Sequence, residues 1–366
     1  MTGARIRGLD GLRAVAIVLV ILWHTKLVFG FRSLGVLDPL VEAGWAGVDL
    51  FFGLSGFLIT TLILNEERER GRFRIRDFYA RRVLRIFPPY YTVLLLTGLA
   101  LSRFALFRSA HWPWESPEPL YVASLAFLFS NYLDLGAIGF AYIVNWSLCV
   151  EEHFYLVWPA TLLALRSRHA RVVLGLGVCL LVPLLRLQAL GAGMEPHRVH
   201  SLSHLRIDSI LWGALAALLF HWLKAHPRIR RTVLVVAGAA ALFFLGPEQT
   251  ILHQVAGLSI IGIAVAALVS NIAATPQSRL VNVLEAAPLR AVGKVSYGMY
   301  LLHFQALDAV RALAPPGLPH TLAFVLFSLC AIALTWIAAA VLYRLVERPA
   351  LRLKRSFAGA GMLPGR

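Results

Sequence analysis

Arg13 and His24 flank an aliphatic run in the stretch LDGLRAVAIVLVILWHTK, residues 9–26. Eleven helical residues at ~100° each carry the chain ~20° past three full turns, so both side chains fall on one face, about 16.5 Å apart along the axis. An ionisable group inside an apolar span is costly and by default marks function. The bland alternative is a snorkelling arginine and a histidine bonded to a neighbouring helix. The shared face favours function, and so do other polar groups in similar settings. Asp49 enters the apolar run GVDLFFGLSGFLITTLIL, where it either orients a histidine or pairs with a buried arginine. Ser55 and Gly56 of that run are read as small residues that admit close helix packing. Arg82 and Arg85, with Arg81 beside them, close the basic stretch FYARRVLRIFPPYY. Three residues apart, Arg82 and Arg85 share a helical face, and a guanidinium is the group of choice for phosphate. Ordinary topology-setting charge would explain them equally well.

NWSLCVEEHFYLVWP, residues 145–159, sets Glu151, Glu152 and His153 in apolar surroundings. Adjacent carboxylates point ~100° apart on a helix, so at most one faces a given cavity. A carboxylate there can bind a hydroxyl, orient an imidazole, act as an acid, or form an ion pair with Arg206. Arg206 and Asp208 open the segment RIDSILWGALAALL. GKVSYGMYLLHF adds Tyr300 and His303, three apart and able to face a helix bundle together. There is no phosphate-binding Walker loop, no HExxH zinc motif and no GxSxG elbow.

The elements that carry these residues are membrane helices. The chain has 366 residues, 58% hydrophobic and 15% charged, with mean hydropathy +0.71; a soluble domain carries about 25% charged residues. About ten spans are expected, over residues 12–31, 44–64, 86–107, 143–165, 171–190, 205–223, 231–246, 250–271, 294–311 and 319–343. The expected fold is therefore an all-α polytopic bundle. Residues 1–355 form its single membrane domain, and residues 356–366 a disordered cytoplasmic tail. The first run is not read as a cleavable signal peptide, because no small-residue cleavage site follows WHTK. Placing the N-terminus inside puts 27 of the 35 Lys and Arg residues in cytoplasmic segments. Both termini are then cytoplasmic and the protein is a multi-pass plasma-membrane protein. The net charge of +16 is absorbed by this asymmetry, and no nucleic-acid partner is expected. The apolar stretch PLYVASLAFLFSNYLDL, residues 119–135, is read as re-entrant or interfacial, since a full crossing would invert the basic loops. Cys149, Cys179 and Cys330 lie in apolar runs and suggest neither a disulfide framework nor a metal site.

Together these motifs resemble the acyltransferase-3 family of bacterial membrane O-acyltransferases. Asp10, Gly11, Arg13 and His24 stand at that family's LDGLRA and arginine–ten residues–histidine positions. GVDLFFGLSGFLI resembles its second-helix motif, Arg82–Arg85 its RxxR motif, and WSLCVEEHFYLVWP its WSLxVEExFY motif, which makes Glu151 the first motif glutamate. RIDSILWGALAA and SYGMYLLHF also look like family segments. His153 stands where glutamine is common. Many members end in an extra helix and an SGNH-type domain, so the likeness is to the stand-alone branch, which acts on polysaccharides and macrolide antibiotics. The resemblance implies acyl transfer from cytoplasmic acyl-coenzyme A, acetyl-coenzyme A in particular, to a hydroxyl of a glycan or glycosylated small molecule, with no tightly bound cofactor. His24 would be the general base or a transient acyl carrier. Glu151, and secondarily Asp49, would orient the acceptor or tune His24. Arg13, Arg82 and Arg85 would meet the coenzyme phosphates, and Arg206, Asp208, Tyr300 and His303 the substrate. The rival class is a transporter or flippase of an anionic or lipid-linked molecule, which suits buried charges but lacks a visible internal repeat.

Overall fold

The computed structural model describes residues 5–100, 119–133, 145–246 and 250–353. Among them are ten helices of 16 residues or more and no strand. In chain order they are α1 (Leu9–Phe29), α2 (Gly47–Arg70), α3 (Ile75–Leu95), α4 (Asn145–Ala164) and α5 (Arg168–Gly191). There follow α6 (Ser203–Leu218), α7 (Pro227–Phe243), α8 (Leu258–Ala274), α9 (Ser296–Leu313) and α10 (His320–Leu342). Each lies over one expected span. Five helical stretches, those containing α1, α2, α5, α8 and α10, are long and apolar enough to cross a membrane by length and composition. The others are shorter or more polar. The residues expected to form the disordered tail, 356–366, lie outside the described residues, as do parts of the third and fourth expected spans.

The largest departure is at α3. Hydropathy reads residues 65–85 as a polar loop, yet α2 continues to Arg70, turns at Gly71, and α3 begins at Ile75. Hydropathy reports contact with lipid, whereas helicity needs only a buried stripe and a solvated face. Arg82 and Arg85 consequently lie well inside a helix. Pro88 and Pro89 sit within it too, and the Pro88 carbonyl accepts a 2.7 Å bond from the Thr92 hydroxyl. Of the stretch 119–135, the described residues 119–133 form the eight-residue helix Pro119–Ala126 and a short 3-10 turn. At 1.5 Å per residue such a helix spans about 12 Å, well short of a ~30 Å hydrocarbon core. It hangs from α3 by Tyr90 and Tyr91, whose hydroxyls donate to the Leu125 and Ala126 carbonyls at 2.7 and 2.6 Å.

α6 and α9 are buried on almost every face, while α5 and α10 present a leucine-rich side outward, including Leu180, Leu184, Leu329 and Ile337. An apolar outer surface of this extent belongs in lipid rather than water. α2 crosses α6 at backbone contact. A Cβ on Gly56 would lie 2.0 Å from the Ile210 carbonyl oxygen, and one on Gly213 2.2 Å from that of Gly53. Gly56 thus does the packing expected of it. Ser55 does not: its hydroxyl donates to Glu151. The base of α1 is pinned by Arg5, which bridges Asp10 and Glu285 at 2.6 and 2.7 Å. Burial would raise the Glu285 carboxyl, but the Gly8 N–H and Arg5 hold it below the usual carboxylate range.

Gly56→Val should therefore force α2 from α6 and cost about 1–3 kcal/mol or more, as overpacking does. Gly177→Ala on α5, which meets open space, should leave stability unchanged or raised. Thermal unfolding of both variants in detergent measures the contrast.

Candidate active site

Five helices converge on a cavity of about 800 Å³, counting its open mouth. Arg13 enters from α1, Ser55 from α2, Arg82 and Arg85 from α3, Glu151, Glu152 and Tyr155 from α4, and Tyr297 and Tyr300 from α9. The three guanidinium groups expected to meet phosphate thus line one cavity. The Arg82 guanidinium lies 4.6 Å from the centre of the Tyr155 ring, a cation–π contact that holds its plane. Glu151 accepts hydrogen bonds from Ser55 and Tyr155. Both motif glutamates reach this cavity, although adjacent helical positions diverge by ~100°; it is wide enough to span that angle.

A second cavity, of about 930 Å³, is lined by His24, Trp23, Glu42, Trp45, Trp146, His200 and His253, among others. Val48 and Tyr300 line both cavities and form the wall between them. The Tyr300 hydroxyl is hydrogen-bonded to Ser147 at 2.6 Å. Arg13 and His24 therefore share a helix but face two adjoining chambers, one basic and one aromatic and imidazole-lined.

The partner of His24 is His303, with Nδ1 of the first 3.2 Å from Nε2 of the second. The fully buried His303 has its Nδ1 2.7 Å from the Tyr300 carbonyl oxygen. A carbonyl only accepts, so the proton of His303 sits on Nδ1 and Nε2 offers a lone pair. The facing Nδ1 of His24 must then donate, and Nε2 of His24 is left as its basic nitrogen. Neither Glu151 nor Asp49 holds this imidazole. The i, i+3 spacing of Tyr300 and His303 placed both on the bundle face, but the sequence carries no signal that His303 would meet His24.

Asp49 pairs with Arg206 at 3.0 Å, both fully buried. Asp208 pairs with Arg186 and accepts from Ser259 at 2.5 Å, while Arg186 also donates to the Leu205 carbonyl at 2.7 Å. None of these four charged side chains lines either cavity. Of the two roles open to Asp49, the arginine pair is the one formed, and Arg206 and Asp208, expected at the substrate, are held in ion pairs behind the two cavities. Arg206 backs the Trp146 ring at 5.8 Å, an indole that lines the second cavity. Arg186 was missed because, read by charge alone, it is one of eight basic residues left on the far side.

A family described as an acyltransferase domain matches residues 6–344, and the chain belongs to that acyltransferase family. It is 28% identical over 363 residues to the peptidoglycan O-acetyltransferase OatA of Listeria monocytogenes, covering 93% of this chain and 55% of that protein. A putative peptidoglycan O-acetyltransferase of Bacillus subtilis, YrhL, is 29% identical over 94% of this chain and 54% of its own. A putative O-acetyltransferase of Staphylococcus aureus is 26% identical over 94% of this chain and 57% of its own. The chain thus spans about half the length of these relatives. No solved structure matches it.

The buried pair makes a direct stability test. Asp49→Leu leaves Arg206 charged and unpaired, and should destabilise by about 3–5 kcal/mol. Adding Arg206→Met should recover much of that loss. Denaturation of the single and double variants, read as a double-mutant cycle, checks the coupling.

Proposed function

We propose that this chain is a membrane O-acyltransferase that moves an acetyl group from acetyl-coenzyme A to a hydroxyl of a carbohydrate. The observation that carries this reading is the pair of chambers sharing the Val48–Tyr300 wall, one with three guanidinium groups and one with a histidine in a defined tautomer. The names of the relatives favour a cell-envelope polysaccharide over a macrolide-type acceptor. Ten crossings with both termini cytoplasmic would put the basic chamber at the cytoplasmic side, where coenzyme A resides, and the histidine chamber towards the outer face.

In this mechanism Arg13, Arg82 and Arg85 bind the nucleotide phosphates, and the thiol arm passes the Tyr300 wall. The acceptor hydroxyl gives its proton to Nε2 of His24. Its oxygen attacks the thioester carbonyl; the new O–C bond forms as the C–S bond breaks, and His24 returns the proton to the departing thiolate. The Tyr300 hydroxyl at the wall is placed to donate to the carbonyl oxygen as charge develops there. Glu151, held by Ser55 and Tyr155, sets the Arg82–Tyr155 stack rather than His24. Asp49, Arg206 and Asp208 act as bundle supports.

His24→Ala should lower transfer at least a hundredfold, within the ~10²–10⁴ that general-base catalysis supplies, while membrane expression and coenzyme A binding persist. The assay is labelled acetyl-coenzyme A plus a glycan acceptor, read as ester by mass spectrometry; near-normal activity in the variant would falsify the assignment. For Arg85→Ala the expectation is weaker coenzyme A binding by titration, with unchanged affinity rejecting its phosphate role.

A further inference from the structure

The second cavity carries more than His24. Trp23 comes from α1, Trp45 from the 3-10 turn Ala43–Ala46, and Trp146 from the first turn of α4, and all three line it. His200 packs edge-on between two of them, its ring centre 5.8 Å from that of Trp45 and 5.0 Å from that of Trp146. His253 lies 5.3 Å from Trp45. Its Nε2 is 2.8 Å from the Phe244 carbonyl oxygen, so in the neutral ring the proton is on Nε2 and Nδ1 is a lone pair. His253 is only 4% exposed, and that nitrogen has no hydrogen-bond partner among the described residues. Nδ1 of His200 has none either.

A buried acceptor without a partner is expensive unless a ligand or water supplies the donor. Around these two unpartnered nitrogens stand indole rings, whose faces carry negative charge density. The cavity's carboxylate, Glu42, is neutralised by Lys26. A pyranose ring has the complementary form: one face of polarised C–H groups to lie on an indole, and hydroxyls around the rim to donate to imidazole nitrogens. An anionic ligand suits the first cavity, where the guanidinium groups are, and not this one.

We propose that the second cavity is the acceptor subsite and that it takes a neutral pyranose ring, stacked on Trp45 and Trp146, with one hydroxyl donating to Nδ1 of His253 and another hydrogen-bonded to Nδ1 of His200. The arrangement rests on the acyl-transfer reading and adds to it what selects the acceptor. One rim hydroxyl of a ring held there faces His24, and Arg206 behind Trp146 fixes the platform without touching the sugar.

The test uses the full chain in detergent with a soluble, uncharged tetrasaccharide of N-acetylglucosamine as probe. Calorimetry measures its binding without acetyl-coenzyme A, and a transfer assay gives separate KM values for glycan and donor. Trp45→Ala and His253→Ala should each weaken glycan binding and raise the glycan KM about tenfold, the scale of one lost aromatic or hydrogen-bonded contact. Trp45→Phe should recover most of the loss, and coenzyme A affinity should stay at the wild-type value, which also reports that the variants fold. Glycan binding that is the same in wild type, Trp45→Ala and His253→Ala overturns the subsite even if transfer proceeds. Wild type that binds the glycan but forms no ester overturns the acyl-transfer reading instead, while loss of that binding in the two variants still supports the subsite.

Discussion

The crossing of α2 with α6 is the contact on which the rest of the bundle depends. Its helices meet backbone to backbone at Gly53, Gly56 and Gly213, and Asp49 and Arg206 clamp them in the dry interior. Without a hydrophobic force between helices in lipid, close packing and interhelical polar pairs are what hold a membrane bundle together. A buried ion pair is a weak source of net stability but a strong source of register, because any other alignment strands a charge. The register matters to the site. Val48, next to Asp49, is part of the wall between the two cavities, and Ser55, next to Gly56, binds Glu151. Arg206 in turn backs Trp146. One clamp thus sets the wall, the glutamate and an indole.

α9 couples the chambers in a different way. Tyr300 bonds Ser147 through its hydroxyl and His303 through its carbonyl. The same residue that separates the cavities therefore dictates which nitrogen of His303 is protonated, and through it which nitrogen of His24 is basic. Helical geometry makes this possible, since a side chain at i+3 folds back over the turn that precedes it.

The pattern of apolar runs made the helices readable, because lipid contact and hydropathy are the same property. It failed where they part. The start of α3 is helical but wet, so it reads as loop, and the charged residues in it were placed a helix turn or more too close to its end. Within the site, local periodicity carried Arg13 with His24, Arg82 with Arg85, and Tyr300 with His303. It could not carry contacts between distant segments. His24 with His303, Ser55 with Glu151, and Asp208 with Arg186 join residues far apart in the chain, and any buried carboxylate could in principle have met any buried arginine. Asp49 is the clearest case: its type and depth allowed either a histidine or an arginine partner, and only the α2–α6 crossing decides between them.

The pairing of His24 with a neutral imidazole, in place of a carboxylate, bears on how it would act as the proposed base. In a serine-protease triad a buried aspartate stabilises the imidazolium that forms during attack. Here the Nδ1–H of His24 points at a lone pair on His303, whose own proton is held by a carbonyl. The pair fixes the tautomer and aims the basic nitrogen, but supplies no negative charge to hold a second proton. In the proposed reaction a protonated His24 would have no carboxylate to hold it, and the favourable course would be to pass the proton on to the departing thiolate. That economy would suit transfer in which hydroxyl attack and thiolate departure are closely linked, with the donor's thioester threaded past the tyrosine wall to the acceptor before the proton moves.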